Sequence, residues 1–144
     1  MEPFDGKRVM LWVNMRALET GGAPSAWADA VADALVRRGC RVETVSSSAQ
    51  LAMLLEKGSA DLVVTRVSNS CPEPLELLSR FHARPAAAQN LPPVILLATA
   101  LDIQAYLEGM RKGAFDCVAL PFEEKEFIRV AARALEAKAV HTAA

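Results

Sequence analysis

Gly113-Ala114-Phe115-Asp116-Cys117-Val118-Ala119-Leu120-Pro121-Phe122 is the stretch on which the reading of the chain turns. A glycine stops a helix, a short apolar run makes a buried strand, and a Pro-Phe turn leads into another helix. Arg111 and Lys112 stand just before the glycine, where cations suit the negative end of a helix. Upstream, Ile103, Tyr106, Leu107 and Met110 recur at i, i+3, i+4 and i+7, so a helix with an apolar packing stripe runs into Gly113. Asp102 is placed to cap its start. Downstream, Glu123 to about Lys138 is acidic at its head and basic at its end, with Phe127, Val130, Ala131 and Ala134 forming a buried stripe.

The same unit, strand then helix, repeats back to the amino end. Lys7 to Val13 is an apolar run of strand length, and unalternated runs of this kind suit strands covered on both faces. Asn14 to Ser25 is a polar loop with Gly21, Gly22 and Pro24. Ser25 caps a helix carrying Trp27, Val31, Ala34 and Leu35 on one face, closed by Arg37-Arg38-Gly39. Arg41 to Val45 alternates and reads as an edge strand. Ser46 to Ser48 caps a helix from Ala49 to Lys57. Ala60 to Arg66 reads as a central strand, Pro74 to Ala83 as a helix, and Val94 to Ala98 as the most apolar strand. Five strands alternating with five helices demand a parallel sheet with right-handed crossovers and helices on both faces. The fold expected is a (βα)5 flavodoxin-like α/β three-layer sandwich, strand order 2-1-3-4-5. One domain accounts for all 144 residues, with a core from about 7 to 138 and a flexible tail from 139 to 144.

Composition narrows the function. The 16 basic and 17 acidic residues are intermixed, leaving net charge −1 and no electrostatic footprint for nucleic acid. The apolar runs are far shorter than the ~18 residues a membrane span needs. The first residues lack the basic and apolar regions of a secretory signal, so the cytoplasm is the expected compartment. Cys40, Cys71 and Cys117 are widely spaced and fit reduced thiols better than disulfides or zinc ligands. His82 and His141 stand alone, so no histidine-based metal or catalytic centre is expected, and no cofactor is called for.

In such sheets ligands bind beyond the carboxyl ends of the strands, near the switch point between strands one and three. That edge gathers Asn14, Arg66, Ala98 and Leu120. The frame around these positions resembles the receiver domain of bacterial two-component response regulators. The resemblance covers about residues 7 to 138 and rests on Lys7-Arg8-Val9-Met10-Leu11, Asp61-Leu62-Val63-Val64, Pro93-Val94-Ile95-Leu96-Leu97, Met110 to Asp116, and Pro121-Phe122. It implies an acidic pair after strand one, a phosphoacceptor Asp ending strand three, a hydroxyl ending strand four, a Lys before the proline and a rotating aromatic in strand five. In this chain those positions fall on Val13 and Asn14, Arg66, Ala98, Leu120 and Cys117. Every reactive position departs from the pattern. Aspartyl phosphorylation needs a carboxylate nucleophile and a carboxylate-held Mg²⁺, which an amide, a guanidinium and aliphatic side chains do not supply. Thr99 stands one residue late, and strand alternation turns it to the side opposite Ala98. The resemblance also implies a cis bond before Pro121.

The expectation is an atypical, non-enzymatic receiver that keeps the scaffold and works by protein contacts. Its partner would be a histidine kinase, an output domain, or a second copy meeting it through helix 4, strand 5 and helix 5. On that face Gln104, Glu108, Arg111, Lys112, Glu126 and Arg129 form either reciprocal charge pairs or a solvated surface. Arg66 is read as a solvated strand end, as the partner of an acid such as Glu19 or Asp102, or as an anion ligand. The alternative function is a flavodoxin-like small-molecule or nucleotide-binding protein that uses the Asn14–Ser25 loop, whose glycines precede a helix N-terminus.

Overall fold

The computed structural model describes residues 4–13, 25–56, 60–67, 73–82, 92–120 and 122–143. The strands are β1 (Arg8–Trp12), β2 (Arg41–Val45), β3 (Leu62–Arg66), β4 (Val94–Thr99) and β5 (Asp116–Leu120). The helices are α1 (Ser25–Val36), α2 (Ser48–Glu56), α3 (Glu73–His82), α4 (Ile103–Arg111) and α5 (Glu124–Ala143), with a 3₁₀ turn at Ala100–Asp102 before α4. The five strands are all parallel and ordered β2-β1-β3-β4-β5, as the alternation of elements requires. The fold class expected from the sequence is the one found.

Strand alternation divides the core into two layers. Val9, Leu11, Leu62, Val64, Ile95, Leu97 and Val118 pack beneath α1 and α5, against Trp27, Val31, Leu35 and Phe127. Met10, Trp12, Val63, Leu96 and Ala98 pack beneath the other helices, against Leu51, Leu75, Leu78 and Ala105. Both faces of β1, β3 and β4 are therefore covered, which is why these strands read as continuous apolar runs. The edge strand β2 is exposed along most of its length, and its alternating sequence reflects that.

Two helix ends follow the glycine readings. Gly39 and Gly113 adopt φ of +94° and +104°, where a side chain would be strained. The amides of Cys40 and Ala114 bond back to the carbonyls of Leu35 and Gly109 at 3.1 Å in each case, the longer bond of a Schellman cap. The arginines before Gly39 serve as expected. Arg37 Nε donates to the Asp33 carbonyl at 3.3 Å and an Arg38 guanidinium nitrogen to the Ala34 carbonyl at 3.4 Å.

Two readings need correction. Asp102 occupies the position before α4 but makes no side-chain capping bond; its carboxylate instead accepts the Thr99 hydroxyl at 2.9 Å. The α4 stripe is only partly as read: Met110 packs against the core, but Ile103 and Leu107 do not. Ala105 and Gly109 are its buried residues, while Ile103 and Leu107 are 60% and 50% exposed. A Cβ on Gly109 would stand 2.2 Å from a Leu96 methyl, so the helix axis lies too close to β4 for any larger face to turn inward. The last helix runs to Ala143.

Candidate functional site

The carboxyl edge of the sheet is built by the ends of neighbouring strands. Arg66 closes β3 opposite Leu97, Ala98 of β4 stands opposite Ala119, and Leu120 closes β5 opposite Thr99. Val13 follows β1, its amide bonded to the Val45 carbonyl at 2.9 Å. Buried Thr65 fixes the β1 and β3 ends together: its hydroxyl donates to the Trp12 carbonyl at 2.9 Å. Asn14 and Pro121 lie outside the described residues, so the amide position and the cis bond do too.

Alternation splits the described candidates between the two faces. Val13 and Leu120 are half-buried against the α1/α5 layer, and Arg66 continues the Leu62, Val64 series on that face. Ala98 and Cys117 belong to the opposite layer. Thr99 pairs with Leu120 and so lies on the α1/α5 side, away from Ala98 as alternation demands. Its hydroxyl is engaged by Asp102.

At the described candidate positions the chemistry is narrow. Val13, Ala98 and Leu120 offer no side-chain oxygen or nitrogen, and Arg66 offers only donors. These side chains do not fit a hard divalent cation, which needs several oxygen ligands, and a guanidinium beside the site repels one. Among the described residues no group of three His, Cys, Asp or Glu side chains could hold a metal ion. Arg66 takes part in none of the ion pairs formed between described residues, so the pairing with Asp102 considered from sequence is not made; Glu19 lies outside them. Cys117 is half-buried, and burial, followed by the neighbouring Asp116 charge, pushes its thiol up to about 12. Burial likewise raises buried Cys40 to about 11, reinforced by Asp61 and Asp5. Neither thiol supplies a thiolate nucleophile near neutral pH.

Two features escaped the sequence. One is a pair of buried indole N–H groups, on Trp12 of β1 and Trp27 in the first turn of α1, that have no acceptor among the described residues. The other is the outward apolar face of α4, extended by Leu101 at 88% exposure. A sign of the second was present: Ala105 and Gly109 are small residues one helical turn apart, opposite Ile103 and Leu107.

Comparison with known proteins agrees with this architecture. No protein-family profile matches the chain. The DNA-binding transcriptional regulator NtrC of Rhizobium meliloti is 33% identical over 103 residues, which are 71% of this chain and 20% of that protein. The chain thus spans about a fifth of the length of the curated relatives it matches. Among solved structures, a response regulator receiver domain from Clostridium thermocellum superposes with a TM-score of 0.70 at 20% identity, covering 93% of this chain and 98% of that one. NtrX from Brucella abortus superposes at 0.72 with 20% identity, covering 94% of this chain and 27% of that one. The fold is a doubly wound parallel α/β sheet. Within that class it is the receiver-domain fold of response regulators.

Proposed function

We propose that the chain serves two-component-type signalling as a receiver whose phosphate switch has been dismantled, and that it acts through protein contacts rather than catalysis. The observation that carries this reading is Arg66. A guanidinium closes the central strand β3, at the edge where a receiver would need a carboxylate nucleophile, and aliphatic side chains flank it along that edge. Such a site neither accepts a phosphoryl group nor holds the metal that would help transfer it. Incubation with acetyl phosphate and Mg²⁺ is expected to add no phosphoryl mass to the intact protein, and a beryllofluoride mimic to leave its spectra unchanged. A stable phosphoryl adduct would end this reading.

The contact surface is the outward side of α4 with β5 and α5. Leu101, Ile103 and Leu107 give it an exposed apolar strip, bordered by the exposed Glu108–Arg111 pair. Arg129 and Glu126 lie exposed on α5. Neighbouring charges of both signs beside an apolar strip suit a self-complementary two-fold contact. The partner is a second copy of this domain; a kinase or an output domain in a cytoplasmic phosphorelay is the alternative occupant. Size-exclusion over a range of salt should show a dimer. Leu107→Glu and Ile103→Glu should convert it to monomer while shifting stability by no more than about 0.5 kcal/mol, since both side chains are exposed. A strict monomer at high concentration removes the second copy as partner.

A further inference from the structure

We infer that a second copy of this chain docks on the outer edge of β2, antiparallel about a two-fold axis at Val42, so that two five-stranded sheets become one. The inference goes beyond the receiver reading and does not rest on it. β2 and β5 are the two edges of the sheet, so this contact and one through α4, β5 and α5 use different surfaces. The Arg41 amide donates to the Lys7 carbonyl at 2.8 Å, and the Val45 carbonyl accepts the Val13 amide at 2.9 Å. Arg41, Glu43 and Val45 therefore turn their backbone groups toward β1. Val42 and Thr44 turn theirs outward, where no described strand meets them. Val36 and Met53, 55% and 53% exposed, give one uncovered apolar side chain to each of the helices lying against this strand, α1 and α2.

Charged side chains on an edge strand ordinarily oppose such pairing, and here they select one register of it. Arg41 and Glu43 are exposed and share one face, in register with Arg8 and Met10 of β1. Neither takes part in an ion pair with a described residue. Arg8 is exposed too, so two like charges stand side by side on neighbouring strands. In an antiparallel pair only residues of the same bonding class face each other, so the axis must pass through a residue. An axis at Arg41 or Glu43 sets like charges opposite each other, and one at Thr44 or Val45 gives neither charge an opposite partner. The axis at Val42 sets Arg41 of each copy opposite Glu43 of the other. Those are two opposite-charge pairs at the closer, non-bonded positions of the ladder, while the two Val42 residues exchange backbone bonds. The incoming Glu43 carboxylate also offsets the like charges of Arg8 and Arg41.

Two short strand edges make a small contact of the transient class, so it is read above the concentrations of a size-exclusion column. The test is sedimentation equilibrium of the full chain carrying Leu107→Glu, which silences the α4 contact, at up to about 1 mM protein. Reversible dimerisation is expected, with hydrogen exchange of the Val42 amide slowing as dimer forms. Added singly, Arg41→Glu and Glu43→Arg each set like charges opposite each other and should weaken association at least about tenfold. An equimolar mixture of the two variants should associate again, because each copy supplies the charge that the other lacks. Both exchanges in one chain should also restore the dimer. Thermal unfolding confirms that each variant folds, as expected for exposed positions. Single variants that associate as tightly as the parent overturn the inference, as does a mixture no tighter than its components. Dimers that leave Val42 exchange unchanged also overturn it, because another surface then joins them. A monomer throughout does the same and leaves the edge to a strand of some other protein. The α4 contact is judged by size-exclusion with β2 intact, so the two contacts fail separately.

Discussion

Replacement of Phe127 by alanine is expected to lower the unfolding free energy by about 3–5 kcal/mol, the usual cost of emptying a buried aromatic site. Phe127 is fully buried in the first turn of α5 and sits in the layer that α1 and α5 share over the sheet. Its ring lies 5.3 Å from that of Phe122, tilted by 42°, a favourable aromatic geometry. Its amide bonds to the Glu123 carbonyl at 3.1 Å, so the side chain pins the point where the chain turns from β5 into the helix. The neighbours cannot close the gap cheaply, because Val118 and Leu97 stand on strands paired on the sheet and Val31 on a helix. The exposed Arg37–Glu124 pair that also ties α1 to α5 contributes little by comparison. Urea unfolding followed by tryptophan fluorescence measures the effect, since Trp27 belongs to the same layer. Phe127→Leu should recover most of the loss. A cost below about 1 kcal/mol for alanine would mean that the helix resettles, and that this contact does not anchor α5.

The stripe around Phe127 was legible in the sequence because α5 is amphipathic in the ordinary sense: its large residues face the sheet. The same rule misread α4. There the periodicity of Ile103, Tyr106, Leu107 and Met110 is real, yet it divides: Met110 packs against the core while Ile103 and Leu107 face outward. Periodicity reports that a helix has two unlike sides, and it does not say which side meets the sheet. Close approach decided that, through Ala105 and Gly109. The strand order and the glycine caps were readable because they follow from connectivity and backbone sterics alone.

The candidate edge was partly legible for a similar reason. Once five parallel strands are placed, Arg66, Ala98 and Leu120 must lie near one edge; Arg66 and Leu120 close β3 and β5, while β4 runs one residue past Ala98 to Thr99. Alternation then sends Ala98 to one face and Leu120 to the other, which the sequence had anticipated only for Thr99. What sequence could not supply was satisfaction of polar groups. Asp102 looked like a helix cap because Asp commonly is one, but the 3₁₀ turn brings the Thr99 hydroxyl within reach and the carboxylate takes that bond instead. Nothing local in Trp27 foretold a sealed indole N–H; that depends on which side chains of the sheet surround it.

Gly109→Ala is expected to destabilise the domain by about 1–2 kcal/mol, against the sign that helix propensity alone predicts. In an exposed helix this change would add about 1 kcal/mol of stability. Here the new Cβ would lie 2.2 Å from the Leu96 methyl and 3.4 Å from a Leu75 methyl. Leu96 is fully buried on a central strand, and its clash cannot be relieved by turning into solvent. Forcing a methyl into such a layer costs about 1–3 kcal/mol, which exceeds the propensity gain. Gly109→Val should cost about 3 kcal/mol, because branching adds a second obstruction and loses side-chain freedom. A cycle with Leu96→Ala isolates the cause. Leu96→Ala alone opens a cavity at about 2–5 kcal/mol, but in its presence the Gly109→Ala methyl has room. The double variant should then be more stable than the sum of the two losses by about 1 kcal/mol or more. Simple additivity would show that Leu96 is not what holds position 109 to glycine. Coupling would tie the depth at which α4 sits on β4 to the Gly109–Leu96 contact.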